Sequence, residues 1–181
     1  MLLKVLVTGM LLVLQAGSPN QQKSNVIIHV YKGGMFSGFA HNHIIIANID
    51  KQTVDPQKMS VEISIHSKEL KVTDPEASES TRAEVQTAML GPKVLDVDKY
   101  PEIHFKSSRI EQISAGRYRV TGMLDLHGTT REISFEVSRA PEHYHGSAKL
   151  KQTDYGIQPV SSGGGTVKVK DQIDIDFDVY P

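Results

Sequence analysis

Residues 118–137 read YRVTGMLDLHGTTREISFEV, and this segment predicts a β-hairpin. Apolar and polar side chains alternate along 118–126 and again along 133–137, which is the period of a strand with one buried face. The link at 127–131 is short, polar and contains Gly128, as is typical of a tight turn between antiparallel strands. The segment therefore predicts two neighbouring strands of an antiparallel sheet.

The same alternation recurs on both sides of this hairpin. It is present at 26–30, at 61–65 and most clearly at 173–179, where Asp174, Asp176 and Asp178 alternate with apolar residues. Residues 170–172 predict a further turn, and the three aspartates predict a solvated strand face, with Lys168 and Lys170 opposite them. From Ser18 onward the chain has 29 Ile and Val against six Leu. This excess of β-branched residues favours a β-rich domain.

One helix is predicted in the middle of the chain. Thr81 and Glu84 have the spacing of a capping box, and Val85, Ala88 and Met89 follow at helical spacing. Gly91 and Pro92 are typical helix-stop residues. The narrow apolar face predicts a helix that lies against a barrel.

The first 17 residues are of a different kind. Residues 1–17 predict a signal peptide, with Lys4 followed by an apolar run at 5–14 and small residues for cleavage. The run is shorter than the roughly 20 apolar residues of a membrane span, so a retained anchor is the weaker alternative. Polar residues 18–24 predict a short tether, and 25–181 a single domain in a periplasmic or secreted protein.

Composition excludes several classes of function. The net charge is −1, which argues against a nucleic-acid partner, and the chain has no cysteine, which excludes disulfides, thiolate metal sites and a cysteine nucleophile. There is no Gly-x-Ser-x-Gly segment and no phosphate-binding glycine loop that leads into a helix. We therefore expect neither an enzyme nor a cofactor.

Three blocks in order resemble the YceI-like family. They are VLDVDKYPEIHFKS at 94–107, YRVTGMLDLHGTTR at 118–131 and TDYGI at 153–157, within a similarity that extends over roughly 25–180. The resemblance implies an all-β fold: a lipocalin-like, antiparallel β-barrel of about eight strands, here with one short helix packed against it. It also implies an exported protein whose apolar interior holds a polyisoprenoid or another long-chain lipid. No membrane span is expected after signal removal. The oligomeric state is left open, with a homodimer as one alternative.

The apolar faces of the predicted strands are expected to line the interior of the barrel. Seven residues are predicted to line it: Ile103, Phe105, Val120, Leu124, Phe135, Ile175 and Phe177. Phe39 is predicted to lie near a histidine pair. The alternative is a structural barrel with a stress-related role that is filled by the same side chains, because apolar strand faces usually form a packed core.

The histidine pair is His41 and His43, a His-x-His segment like that of one subgroup of the family. Residues i and i+2 of a strand point the same way, so the two rings should project side by side. We expect them to meet the polar head group of the lipid. The alternative is a metal-binding module or metalloenzyme, which would need a third ligand such as His66, His104 or His127.

Overall fold

The computed structural model describes residues 23–33, 42–162 and 167–181, so the predicted signal peptide and most of the tether lie outside the described residues. The described part forms one helix, α1 (Glu79–Leu90), and two short 3-10 helices, Ser67–Glu69 and Gln152–Tyr155. The strands are β1 (Asn25–Gly33), β2 (His43–Asn48), β3 (Lys51–Asp55), β4 (Ser60–His66), β5 (Lys71–Val72), β6 (Glu102–Ser114), β7 (Arg117–Leu126), β8 (Thr129–Arg139), β9 (Tyr144–Lys151), β10 (Ser161–Ser162) and β11 (Val167–Val179).

The strands form one antiparallel sheet that curls into a barrel. Their order is β3-β4-β6-β7-β8-β9-β11-β1-β2-β5, with β10 against β11. Only Ile49 and Asp50 separate β2 from β3, and β2 pairs with β1 while β3 pairs with β4. Residues 43–55 therefore act as one bent strand that joins the two ends of the sheet. With β2 and β3 counted together, the described residues form eight long wall strands, and the predicted fold class is confirmed.

The predicted hairpin at 118–137 is confirmed as β7 and β8. Its two-residue turn, His127 and Gly128, has φ values of 53° and 70°. Positive φ at both positions is the requirement of a type I′ turn, which matches the twist of the strands. Glycine adopts this conformation freely, whereas His127 is held there by its Nδ1 contact of 3.1 Å to the Tyr155 carbonyl oxygen and by the ring of Tyr100.

Two local predictions are wrong. There is no turn at 170–172, because β11 continues through these residues and its register against β1 shifts there, from Val30 opposite Ile173 to Lys32 opposite Val169. The extra polar residues are thus accommodated in a bulge. The N-cap of the helix is Ser78, three residues before the predicted Thr81 cap, because Ser78 Oγ accepts the Thr81 N–H at 3.1 Å. The predicted stop at Gly91 is confirmed as the C-cap.

The last residue of the predicted tether belongs to the folded part of the chain. Ser24 is buried, its carbonyl accepts the Ile49 N–H at 3.0 Å, and its Oγ accepts the Tyr180 N–H at 2.9 Å. The chain therefore enters the barrel between the β2–β3 bend and the end of β11.

A candidate ligand cavity inside the barrel

The interior of the barrel contains a cavity of about 600 Å³, within the range of small-molecule sites. Its wall is mostly aliphatic and aromatic. Among the lining residues are Val26, Ile28, Ile45, Val61, Ile63, Ile65, Ile103, Phe105, Val120, Leu124, Ile133, Phe135, Val137, Leu150, Ile173, Ile175, Phe177 and Val179. A filled barrel would leave no such space.

The seven strand residues that the sequence predicts for the interior all lie on this wall. Three of them form an aromatic cluster: the Phe135 ring lies 5.4 Å from that of Phe105 and 5.2 Å from that of Phe177, measured between centroids. Gly146 makes room for this cluster, because a Cβ at that position would collide with the Phe177 ring. Phe39 and His41 lie outside the described residues.

The two ends of the cavity differ. At the helix end, where β1, β4, β7 and β9 finish, α1 contributes Val85, Ala88 and Met89 to the wall. The turn between β7 and β8 also lies at the helix end. We call the opposite end the hairpin end: there the β3–β4 and β6–β7 turns and the β8–β9 loop surround the opening, and Met59, Tyr118, Arg139 and Tyr144 line it. Most polar lining residues are thus at the two ends, and the middle of the cavity is apolar.

His43 lines the helix end and is held by a carboxylate that the sequence analysis missed. Asp74 is only 2% exposed, and its Oδ2 lies 2.6 Å from His43 Nδ1 while its Oδ1 accepts the Ile44 N–H at 2.6 Å. Because a carboxylate only accepts, the ring proton is assigned to Nδ1, and Nε2 is the nitrogen without a partner in the described part of the chain. Asp74 is 31 residues from His43, so no local pattern could have indicated the pair.

The proposed third metal ligands are engaged elsewhere. His66 Nδ1 pairs with Asp50 at 2.9 Å, His104 Nε2 with Glu62 at 3.0 Å, and His127 with the Tyr155 carbonyl. Within the described ranges, no three His, Asp or Glu side chains are close enough to hold a metal ion. The expectation that one of these histidines completes a site with His43 therefore finds no support.

The acidic strand face of β11 is confirmed as an outer face, but its partners differ from those predicted. Asp174 pairs with Lys149 at 3.0 Å and not with Lys168 or Lys170, because those lysines precede it in the same strand. Asp176 contacts His29 at 3.0 Å, and Asp178 contacts both His143 and His145. These pairs link β11 to its neighbours β1 and β9.

Acidification should weaken the fold through two carboxyl groups of β11. Hydrogen bonds from the Thr153 N–H and hydroxyl hold the pKa of Asp171 below its ordinary value of 3.8, and the bond from Lys149 lowers the pKa of Asp174. A carboxyl group with a lowered pKa in the folded state stabilises above about pH 4, and this contribution is lost as the pH falls through the folded value. We expect urea midpoints to fall below pH 4, and less steeply in the Asp171→Asn, Asp174→Asn variant. An equally steep fall in that variant would contradict the assignment.

The family model of the YceI-like domain matches residues 20–180, a range that includes nearly all of the described fold. The chain belongs to the YceI-like family. A UPF0312 protein of Vibrio parahaemolyticus is 36% identical over 65 residues, 36% of this chain and 34% of that protein. One from Pseudomonas putida is 29% identical over 89 residues, 44% of this chain and 46% of that protein. The matched segments thus span less than half the length of these curated relatives.

Solved structures of two other bacterial proteins share the fold. Burkholderia cenocepacia BcnA superposes with a TM-score of 0.62 at 18% identity, covering 86% of this chain and 96% of that one. The Campylobacter jejuni YceI protein superposes with a TM-score of 0.57 at 14% identity, covering 75% and 82%. These neighbours show that the chain shares the barrel fold of the solved structures. In the described part of the YceI-like chain, no helix has the length and apolar character to cross a membrane.

Proposed function

We propose that this YceI-like protein is exported and sequesters or carries a polyisoprenoid or similar long-chain amphiphile. The observation that supports the proposal is the cavity of about 600 Å³ with an apolar middle. Each buried methylene contributes about 0.8 kcal/mol before the costs of association, so a long chain binds without polar contacts. The protein acts by burial and carries out no reaction.

The residues proposed to contact the hydrocarbon chain of the lipid are those of the strand faces already described. They are Ile103, Phe105, Val120, Leu124, Phe135, Ile175 and Phe177, with Phe39, His41 and His43 nearer the head group. The alternative of a metal module has one observation in its favour: a carboxylate on the far nitrogen of a histidine, as Asp74 is on His43, is common behind metal-bound imidazole.

Native mass spectrometry of protein purified from its own cell envelope tests the proposal. We expect an added mass of several hundred daltons that dissociates as a lipid, and the same spectrum gives the oligomeric state. A bound metal would favour the alternative. The bare polypeptide mass, also after incubation with long-chain lipids, would count against lipid binding.

Export has its own test. We expect the mature protein to begin between Gly17 and Asn20, because the small residues of the predicted cleavage site lie there. Mass analysis of the intact protein from the periplasm or medium measures this directly. Exported material that retains Met1 would contradict the signal-peptide prediction.

The histidine pair distinguishes head-group contact from metal binding. The His41→Gln, His43→Gln variant keeps side-chain hydrogen-bonding capacity, so we expect lipid affinity to fall by no more than the roughly 1 kcal/mol of one lost hydrogen bond. We also expect EDTA to leave the melting temperature of the wild type unchanged. A melting temperature that EDTA lowers in the wild type, but not in the double variant, would overturn the head-group role.

A further inference from the structure

The barrel wall is open along part of the β8–β9 boundary. Pairing between these strands ends at Glu136 opposite Ser147, although β8 begins at Thr129 and β9 continues to Lys151. On either side the wall is intact: β7 and β8 pair as far as Leu126 and Thr129, and β9 and β11 pair as far as Lys151 and Gln172. We call the unpaired part, 129–135 beside 148–151, the seam.

A surface groove of about 330 Å³ lies over the seam. Four residues line both this groove and the main cavity: Ile133, Leu150, Lys151 and Tyr155. Tyr155 is 2% exposed and belongs to the 3-10 helix that follows β9. These four residues therefore border both the groove and the interior of the barrel, at a place where β8 and β9 form no hydrogen-bonded pair.

The hydroxyl group of Tyr155 has no hydrogen-bond partner in the described part of the chain, although the oxygen is fully buried. Buried polar groups almost always have a partner, and an unpaired one is destabilising. Burial, followed by the charge of Asp154, raises the pKa of Tyr155, so the hydroxyl keeps its proton at neutral pH. It can therefore donate a hydrogen bond to a group that comes from outside the chain.

The groove carries more positive than negative groups. Arg131, Lys149 and Lys151 line it together with Glu132 and Asp154. Lys149 is engaged by Asp174, and Arg131 Nε donates to the Asp154 carbonyl oxygen at 2.5 Å. Within the described ranges the side chain of Lys151 makes no hydrogen bond or ion pair. Its positive charge acts on Asp171 nearby, and its ammonium group can also attract an anion at the mouth of the groove.

We propose that the seam is the head-group site of the ligand, and that this ligand is an amphiphile with a negatively charged oxygen head group, a carboxylate or a phosphate. The hydrocarbon chain of the ligand occupies the cavity, and its head group reaches the groove between β8 and β9. There Tyr155 donates a hydrogen bond to the head group, and Lys151 supplies the positive charge opposite it. The inference rests on the proposed lipid-binding function and names the class of lipid. The seam is an alternative to His43 as the head-group contact, because β9, β11 and β1 lie between them and a single head group contacts only one of the two sites.

Affinities of three probes test the assignment: hexadecanoate, farnesyl phosphate and farnesene, which has no head group. Each is measured by displacement of an apolar dye. Loss of one hydrogen bond corresponds to a roughly five- to tenfold change. We expect Tyr155→Phe to weaken binding of one or both anions by that factor and to leave farnesene unchanged. Tyr180→Phe removes the same atom from a residue that lines neither the cavity nor the groove, and it should change nothing.

The outcomes separate the inference from the function on which it rests. If Tyr155→Phe, with an unchanged melting temperature, binds all three probes as the wild type does, a water molecule satisfies the hydroxyl and the head-group site is overturned, while lipid binding stands. If the wild type binds none of the probes, the proposed function fails and the inference fails with it. A weakened response to hexadecanoate alone identifies a carboxylate, and to farnesyl phosphate alone a phosphate.

The position of the head group can be measured separately. Because the chain has no cysteine, Glu132→Cys at the groove and Met59→Cys at the hairpin end each give one labelling site for a fluorophore. A fatty acid with a nitroxide on carbon 5, beside its carboxylate, should quench the label at position 132 more strongly than the one at 59. The reverse order would overturn the proposal.

Discussion

Leu124→Asp and Phe105→Asp are expected to abolish lipid uptake and to lower the free energy of unfolding by about 3–5 kcal/mol. Leu124 and Phe105 are directly opposite each other in the β6–β7 ladder, are 9% and 8% exposed, and line the cavity. Either substitution removes apolar contacts and places a carboxyl group without a partner in the apolar middle of the barrel. Lipid displacement and urea denaturation measure the two effects.

Met123→Asp is the matched control. Met123 is the neighbour of Leu124 in β7, points to the opposite face of the sheet and is 41% exposed. We expect the free energy of unfolding to change by less than about 0.5 kcal/mol and lipid binding to be retained, because surface substitutions are usually this small. If Leu124→Asp instead folds and binds normally while Met123→Asp does neither, the inner and outer faces are assigned the wrong way round.

Asp74→Ala is expected to lower the free energy of unfolding by about 3 kcal/mol. The substitution leaves the Ile44 N–H and His43 Nδ1–H without their acceptor at the start of β2, where the carboxylate is almost fully buried. It should also weaken lipid binding, since the ring of His43 loses the contact that sets its orientation at the helix end of the cavity. Urea denaturation gives the first quantity and dye displacement the second.

The chain has a close match for this site in an exposed position. Asp50 accepts the His66 N–H and pairs with His66 Nδ1, but its side chain is 25% exposed, against 3% for Asp74. Asp50→Ala should therefore cost about 1 kcal/mol or less, because water replaces the lost acceptor. Equal losses for the two substitutions would show that burial is not what makes Asp74 important.

Strand faces could be predicted from the sequence because the period of two in a strand is a local property. Val120, Leu124 and Phe135 alternate with polar neighbours, so the side that carries them had to be the apolar one. The hairpin turn was equally local. The helix start was missed because Ser78 and Thr81 both allow a cap, and the contact that Ser78 makes is what extends the helix. The extra turn at 170–172 was predicted because a polar stretch indicates a turn and a bulge equally well.

The pairs and spaces that give the barrel its chemistry depend on residues distant in sequence. Alternation indicates an apolar face but does not distinguish a filled barrel from one with a cavity, since that depends on how far the eight wall strands hold opposite faces apart. Asp74 meets His43 only because the chain before α1 returns past the start of β2. The seam likewise could not be predicted from the sequence. β8 and β9 are both strands, but their sequences do not indicate that their pairing stops at Glu136 and Ser147, where Tyr155 packs beside them. Local patterns thus determine which side chains face inward, whereas long-range packing determines what those side chains surround.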